Sequence, residues 1–211
     1  MSPVSERPPS VAAHPWHGVS LGDRVPEVFT CYIEIVPTDT VKYELDKATG
    51  ILKVDRPQKF SNVVPSLYGF LPRTYCAESL AARCMKSTGK TNIVGDGDPL
   101  DVCILSERVI AHGGIIVTAR PIGGLRMIDH GEADDKIIAV LEGDAAFGEV
   151  REVADLPASL RMRLEHYFLT YKLDPERPVH EVEIAEVYDA AEARAVIAAS
   201  REDYTRHYGG L

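Results

Sequence analysis

Short alternating or apolar runs fill the first two thirds of the chain, and helical spacing fills the last third. Phe29–Val36 predicts a strand centred on Tyr32 to Ile35. Val41–Leu45 and Ile51–Asp55 flank a turn signal, Asp46 to Gly50, and predict a hairpin. Residues 57–70 carry no clear period, with Pro65 and Gly69 as punctuation. Leu71–Val94 interrupts the strand pattern; it reads as a long insertion loop holding a short helix at Glu78–Met85. Strands resume at Val102–Leu105, Ile115–Pro121 and Lys136–Glu142. The apolar runs Ile115–Val117 and Ile137–Val140 suggest burial on both faces. Leu156–Lys172 places Leu160, Leu164, Tyr167, Phe168 and Tyr171 at helical spacing, with Asp155 and Pro157 as start signals. Asp189 followed by Glu192 reads as a capping box for a last helix, whose apolar face carries Ala193, Val196, Ile197 and Tyr204.

Strands first and helices last predict an α+β fold, a small β-barrel with helices packed outside. Residues 1–28, rich in Pro, Ser and His, predict an extended arm. No repeat or linker divides the chain, so residues 1–211 read as a single domain.

Composition narrows the function. The 211 residues are 45% hydrophobic, which supports a packed core. A net charge of -9 argues against nucleic acid or an anionic membrane as partner. The N-terminus lacks the pattern of a signal peptide, and no apolar run is long enough to span a bilayer. Cys31, Cys76, Cys84 and Cys103 show no CxxC spacing and read as reduced thiols of a cytoplasmic protein; a Cys76–Cys84 disulfide is the less favoured alternative.

The candidate chemistry begins at Asp96-Gly97-Asp98-Pro99-Leu100-Asp101. At about 5 Å and an effective dielectric near 20, each carboxylate pair repels by roughly 3 kcal/mol, so the cluster calls for cations. Asp96 and Asp98 share a face of an extended chain, while Gly97 and Pro99 break the alternation and bring Asp101 round. Oxygen donors of this kind select Mg²⁺, Mn²⁺ or Ca²⁺ over Zn²⁺. An EF-hand is excluded, because Asp101 stands where that loop needs Gly and a strand follows instead of a helix. A second acid-rich segment, Asp129 to Lys136, lies between two strands. Lys42 and Glu44 share one face of their strand, and Arg56 is held before Pro57. Tyr171 and Lys172 end a helix. Each of these sets also has a bland reading, as a solvated loop, a cross-strand pair or a dipole-compensating Lys.

Taken together, the motifs resemble the family I soluble inorganic pyrophosphatases from about Tyr32 to Lys172. The resemblance rests on IEI (Ile33–Ile35), KYELDKATGILKVDR (Lys42–Arg56), PSLYGF (Pro65–Phe70), DGDPLDV (Asp96–Val102), RPIGGLRMID (Arg120–Asp129), EADDKIIAV (Glu132–Val140) and HYFLTYK (His166–Lys172). It implies a closed five-stranded OB-like barrel with flanking helices, and Mg²⁺-dependent hydrolysis of pyrophosphate, with Mn²⁺ as a substitute metal. It implies Asp96, Asp101 and Asp134 as metal ligands, with Asp129 and Glu34 holding further metals. Asp98 would orient and deprotonate the attacking water. Lys42, Arg56, Tyr68, Lys136, Tyr171 and Lys172 would hold the phosphates, with Glu44 in support. It also implies a homo-oligomer, a hexamer in preference to a dimer or trimer. Two departures stand out: Val64 where bacterial members usually carry Tyr, and the Leu71–Val94 insertion. A catalytically dead metal- or phosphate-binding relative is the competing reading, and single-stranded nucleic-acid binding a third, opposed by the net charge.

Overall fold

The structure is a computed structural model that describes residues 13–173, 176 and 182–209. The first twelve residues of the expected arm lie outside these.

The architecture is α+β. Strand β1 (Phe29–Ile35) pairs antiparallel with β4 (Leu67–Phe70) on one edge and with the long β7 (Ile115–Asp129) on the other. Strand β4 pairs antiparallel with β6 (Asp101–Leu105), and β6 lies parallel to β9 (Lys136–Leu141), with Asp101 opposite Lys136. Strand β9 returns antiparallel to β7. Two short strands, β5 (Val94–Gly95) and β8 (Glu132–Ala133), pair parallel beyond the end of β7. Strand β10 (Val182–Asp189) covers the second half of β7. The hairpin β2 (Val41–Leu45) and β3 (Leu52–Pro57) forms a separate two-stranded sheet, as its turn signal predicts. Helices α1 (Glu78–Thr88), α2 (Ala158–Thr170) and α3 (Ala190–Tyr208) pack around this frame.

One apolar cluster joins β1, β6 and β9 to α1 and α3, through residues such as Phe29, Val102, Leu80 and Ile197. A second packs Ile35, Cys103, Ile138 and Leu125 against Leu164 and Phe168 of α2. Ile137–Val140 alternate between the two clusters, which is why β9 is apolar on both faces. Burial of each such large side chain contributes about 1.5–3 kcal/mol, so tertiary packing outweighs local propensity here.

Several expectations need correction. β4 lies in the segment that read as irregular. Gly69 looks like punctuation because a Cβ there would sit 1.9 Å from the Tyr32 carbonyl oxygen, so the close pairing with β1 demands glycine. The strand expected to end at Pro121 continues to Asp129, after a register shift between Pro121 and Gly123. Ile116 is 58% exposed, so the start of β7 is not buried on both faces. Strand β10 carried no recognised signal.

The 71–94 segment is not a loop. Its helix runs to Thr88, and Leu71, Cys76 and Leu80 belong to the main core. Helix α2 is shorter than expected, leaving Tyr171 and Lys172 in the turn beyond it. At α3, the Asp189 carboxylate accepts from the Glu192 N–H at 2.8 Å, but Glu192 turns to Arg83 and Arg126, so only half of the box forms. All four cysteines are buried and free, which removes the Cys76–Cys84 alternative. No helix among the described residues is long and apolar enough to cross a membrane.

Candidate active site

The ends of β6, β7, β9 and α2, with the hairpin, surround a cavity of about 200 Å³. Asp96, Asp98, Asp101, Asp129 and Asp134 line it together with Lys42, Arg56, Tyr68, Lys136, Tyr171 and Lys172. Glu34 and Glu44 lie outside this lining, in an adjoining recess shared with Lys42, Tyr68, Asp98 and Asp101. Residues up to 138 positions apart in sequence (from Glu34 to Lys172) therefore converge on one place.

The DGDPLD turn has the expected construction. Gly97 adopts φ +72°, and the Asp98 N–H donates to Asp96 Oδ1 at 2.9 Å. Four bonds to the insertion brace it: Cys76 N–H to the Asp98 carbonyl at 2.8 Å, Gly97 N–H to the Cys76 carbonyl at 3.0 Å, Leu71 N–H to the Leu100 carbonyl at 2.9 Å, and Leu100 N–H to Thr74 Oγ1 at 2.9 Å. Parallel pairing of β6 and β9 then sets Lys136 beside Asp101. Lys136 Nζ donates to Asp101 Oδ2 at 2.5 Å and also to Asp134 Oδ1, and the Tyr68 hydroxyl donates to the same Asp101 oxygen at 2.5 Å. Lys172 donates to Asp129, which also bonds the His130 ring. In the recess, Glu34 Oε1 accepts the Leu45 N–H at 2.7 Å, tying the hairpin to β1. Lys42 lies 3.8 Å from Glu44, consistent with a shared face, but is closer to Asp55, at 3.3 Å. The Arg56 guanidinium also turns to Asp55.

The electrostatics are those of a crowded acid cluster. Burial, and then the charge of Asp101, push the Glu34 carboxyl up to about 8. Burial and Asp134 likewise raise Asp96. Burial alone would lower Lys136, but Asp101 and Asp134 more than reverse it, and its ammonium is held well above the usual range. At Asp129 burial opposes ionisation, yet Lys172 and His130 bring the carboxyl below its usual value.

The donor set fits hard divalent cations. The acids offer only oxygen, and burial, with neighbouring carboxylates, disfavours two of them as anions. Among the described residues, however, no three acidic, His or Cys side chains are already drawn together in a metal-holding group; lysine ammoniums take the carboxylate oxygens instead. A raised carboxyl pKa means the folded state binds the extra proton, so its stabilising effect disappears as pH rises from the unfolded value toward the folded one. Metal-free protein is therefore expected to lose melting temperature as pH rises from about 4.5 to about 8, the span set by Glu34. Mg²⁺ should flatten the slope by favouring the ionised acids. Scanning calorimetry across pH with EDTA or Mg²⁺ checks this, and a pH-independent metal-free Tm would refute it.

Glu132, Lys47 and Tyr167 are not singled out as site residues by the sequence, although all lie inside the motifs quoted above. Glu132 lines the cavity. Lys47, from the hairpin turn, pairs with Asp98. Tyr167 read as core, but it too reaches the cavity. Its ring stacks on Tyr171 at 5.3 Å, its hydroxyl engages Gln58, and Arg56 lies near. Val64 is buried in the same apolar cluster and is not among the residues that line the cavity. Tyr167→Phe removes only that hydroxyl. It is expected to raise KM about two- to tenfold, the worth of one hydrogen bond, with an unchanged Tm; an unaltered KM would show that the hydroxyl does not bear on substrate.

A cavity that sets this many carboxylates against Lys, Arg and Tyr suits a multiply charged oxyanion accompanied by hard cations. The class is borne out by comparison. The chain matches the family described as inorganic pyrophosphatase over residues 31–205, past the Lys172 limit of the motifs. It is 53% identical over 209 residues to an inorganic pyrophosphatase of Chlamydia caviae, covering 97% of each chain. It is 40% identical over 183 residues to a soluble inorganic pyrophosphatase of Oryza sativa, covering 87% of this chain and 77% of that one. The crystal structure of inorganic pyrophosphatase from Thermus thermophilus superposes with a TM-score of 0.76 at 29% identity, covering 92% of this chain and 99% of that one. The chain belongs to the inorganic pyrophosphatase family.

Proposed function

We propose that this protein is an inorganic diphosphatase that hydrolyses pyrophosphate to two orthophosphates with Mg²⁺ as its metal and Mn²⁺ as a substitute. The observation that carries the reading is the convergence of five aspartates with six Lys, Arg and Tyr side chains on one small cavity. Asp96, Asp101 and Asp134 are the metal ligands in this reading, with Asp129 and Glu34 serving further ions. Mg²⁺, when bound, would neutralise the substrate and lower the pKa of a water. Asp98 orients that water and accepts its proton. Lys42, Arg56, Lys136 and Lys172 hold the phosphate oxygens, Arg56 able to take two at once. The Tyr68 and Tyr171 hydroxyls donate to the charge that builds on the leaving phosphate. Glu44 supports Lys42 from the same strand face.

The cycle of pairings β1–β4–β6–β9–β7 and back to β1 supports a closed five-stranded OB-like barrel with the site at its mouth. We read the whole of residues 1–211 as one pyrophosphatase domain, working in the cytoplasm as a homo-oligomer, a hexamer in preference to a dimer or trimer. Neither nucleic acid nor membrane is a partner in this reading, in keeping with the net charge.

A phosphate-release assay tests the proposal. Two phosphates per pyrophosphate are expected with Mg²⁺ and none with EDTA. A folded protein that releases no phosphate at any Mg²⁺ concentration would favour the catalytically dead alternative.

A further inference from the structure

Behind the acid segment lies a second charged assembly that the proposed chemistry does not use. Asp135 is 2% exposed and Arg126, on β7, is 1% exposed. Asp135 Oδ2 stands 3.5 Å from Arg126 Nη2, and neither Asp135 oxygen has a hydrogen-bond partner among the described residues. Arg126 Nη2 donates to Glu192 at 2.6 Å and Nη1 to Glu186 at 3.0 Å, while its guanidinium lies 5.0 Å from the centre of the Tyr188 ring. Glu192 receives both Nε (2.9 Å) and Nη2 (2.5 Å) of Arg83, and Glu186 receives the Ser87 hydroxyl. Arg83 and Ser87 belong to α1. Charge contacts thus run from the insertion helix, through the start of α3 and through β10, to a residue flanked by Asp134 and Lys136.

We propose that Arg126 and Asp135 are positioning residues for Asp134 and Lys136, and that α1 anchors them from outside. The inference rests on the pyrophosphatase reading of that cavity. In extended backbone successive side chains point to opposite sides. Asp134 and Lys136 face the cavity, and Asp135 between them faces Arg126. The Asp134 N–H is tied to the Met127 carbonyl at 3.0 Å, and Lys136 pairs in register with Leu125, so β7 holds the backbone on both sides of Asp135. A buried ion pair adds little to stability over an apolar pair of similar bulk, because desolvation offsets the attraction. Its distinctive contribution is direction: with Asp135 held towards Arg126, its two neighbours are held towards the metal and the phosphate. Outer partners of metal ligands act in this way.

Three variants of the full chain test it, each read by Mg²⁺ titration calorimetry, by kcat and KM, and by Tm. Asp135→Asn keeps the shape and leaves Arg126 its partners Glu186 and Glu192. It is expected to weaken Mg²⁺ binding about tenfold or more and to lower kcat, with little change in Tm. Wild-type Mg²⁺ affinity and kcat in Asp135→Asn would overturn the proposal. The pair Arg126→Met with Asp135→Leu replaces the ions by apolar groups. It is expected to lower Tm only modestly, since Glu192 keeps Arg83 and Glu186 is partly exposed, while Mg²⁺ binding stays weak; recovery of wild-type affinity would assign the pair a purely structural role. Arg83→Gln should weaken Mg²⁺ binding in the same direction by less, and wild-type behaviour there would remove α1 from the assembly. Wild-type chain in the same assays separates the two readings. An inactive wild type would refute the pyrophosphatase function, whereas an active wild type matched by Asp135→Asn would refute this inference alone.

Discussion

Asp101→Asn is expected to lower kcat by more than about 100-fold, beyond the effect of losing an outer partner of a ligand, while the protein stays folded. Asp101 accepts from both Tyr68 and Lys136 on a single oxygen, each at 2.5 Å, and faces the cavity opposite Lys136. Asparagine keeps the volume and one acceptor oxygen, so β6 and its pairings survive. It removes the negative charge that a hard cation needs and that Lys136 is paired with. A second effect follows from the same charge. Asp101 is one of the causes that raise Glu34, so the Glu34 carboxyl should titrate lower in the variant. Phosphate release measures the first effect, and NMR titration of Glu34 the second. A near wild-type rate would remove Asp101 from the metal site.

Lys136→Met should act on stability and on turnover together. Lys136 is 2% exposed and is ion-paired with both Asp101 and Asp134. Methionine fills most of its space and keeps contact with the Phe168 ring, which lies 5.9 Å from the ammonium. What it removes is the cation, leaving two partly buried carboxylates uncompensated. In metal-free buffer this is expected to destabilise the fold by about 3–5 kcal/mol. Mg²⁺ should restore much of that loss, since it binds the native acid cluster and not the unfolded chain. Turnover should nevertheless stay depressed by about 100-fold or more even in Mg²⁺, because a phosphate-directed donor is gone. Urea unfolding with EDTA and with Mg²⁺, run beside the rate assay, checks both parts. Unchanged metal-free stability would show that Lys136 does not hold the acids together.

The site was more legible than the fold around it. Asp96, Asp98, Asp101, Lys42, Arg56 and Lys172 stand out because charge in short, ordered motifs is visible without knowing which strands pair. The hairpin and α3 were legible for a similar reason: turn and cap chemistry is local. β4 and β10 were not. Leu67–Phe70 is a strand because β1 and β6 lie on either side of it, and β10 because β1 pairs with β7 only as far as Ala119 and leaves that edge open beyond it. Neither reason is present in the segment itself. Arg56 shows a limit within the motifs: its place before Pro57 reads as a phosphate fork, while its pairing with Asp55 is visible only in the structure.

By itself, the amino-acid sequence determined an acidic α+β protein whose charged motifs belong together, and the family in which that set occurs. Only the tertiary structure decided which acids share a cation, that Tyr167 and Lys47 reach the site, and that Asp135 turns away from it toward Arg126. The physical reason is range. Turn chemistry, alternation and charge spacing act over a few residues and survive in any linear reading. Burial, ion pairing and the pKa shifts they cause depend on groups brought within a few ångströms from opposite ends of the chain.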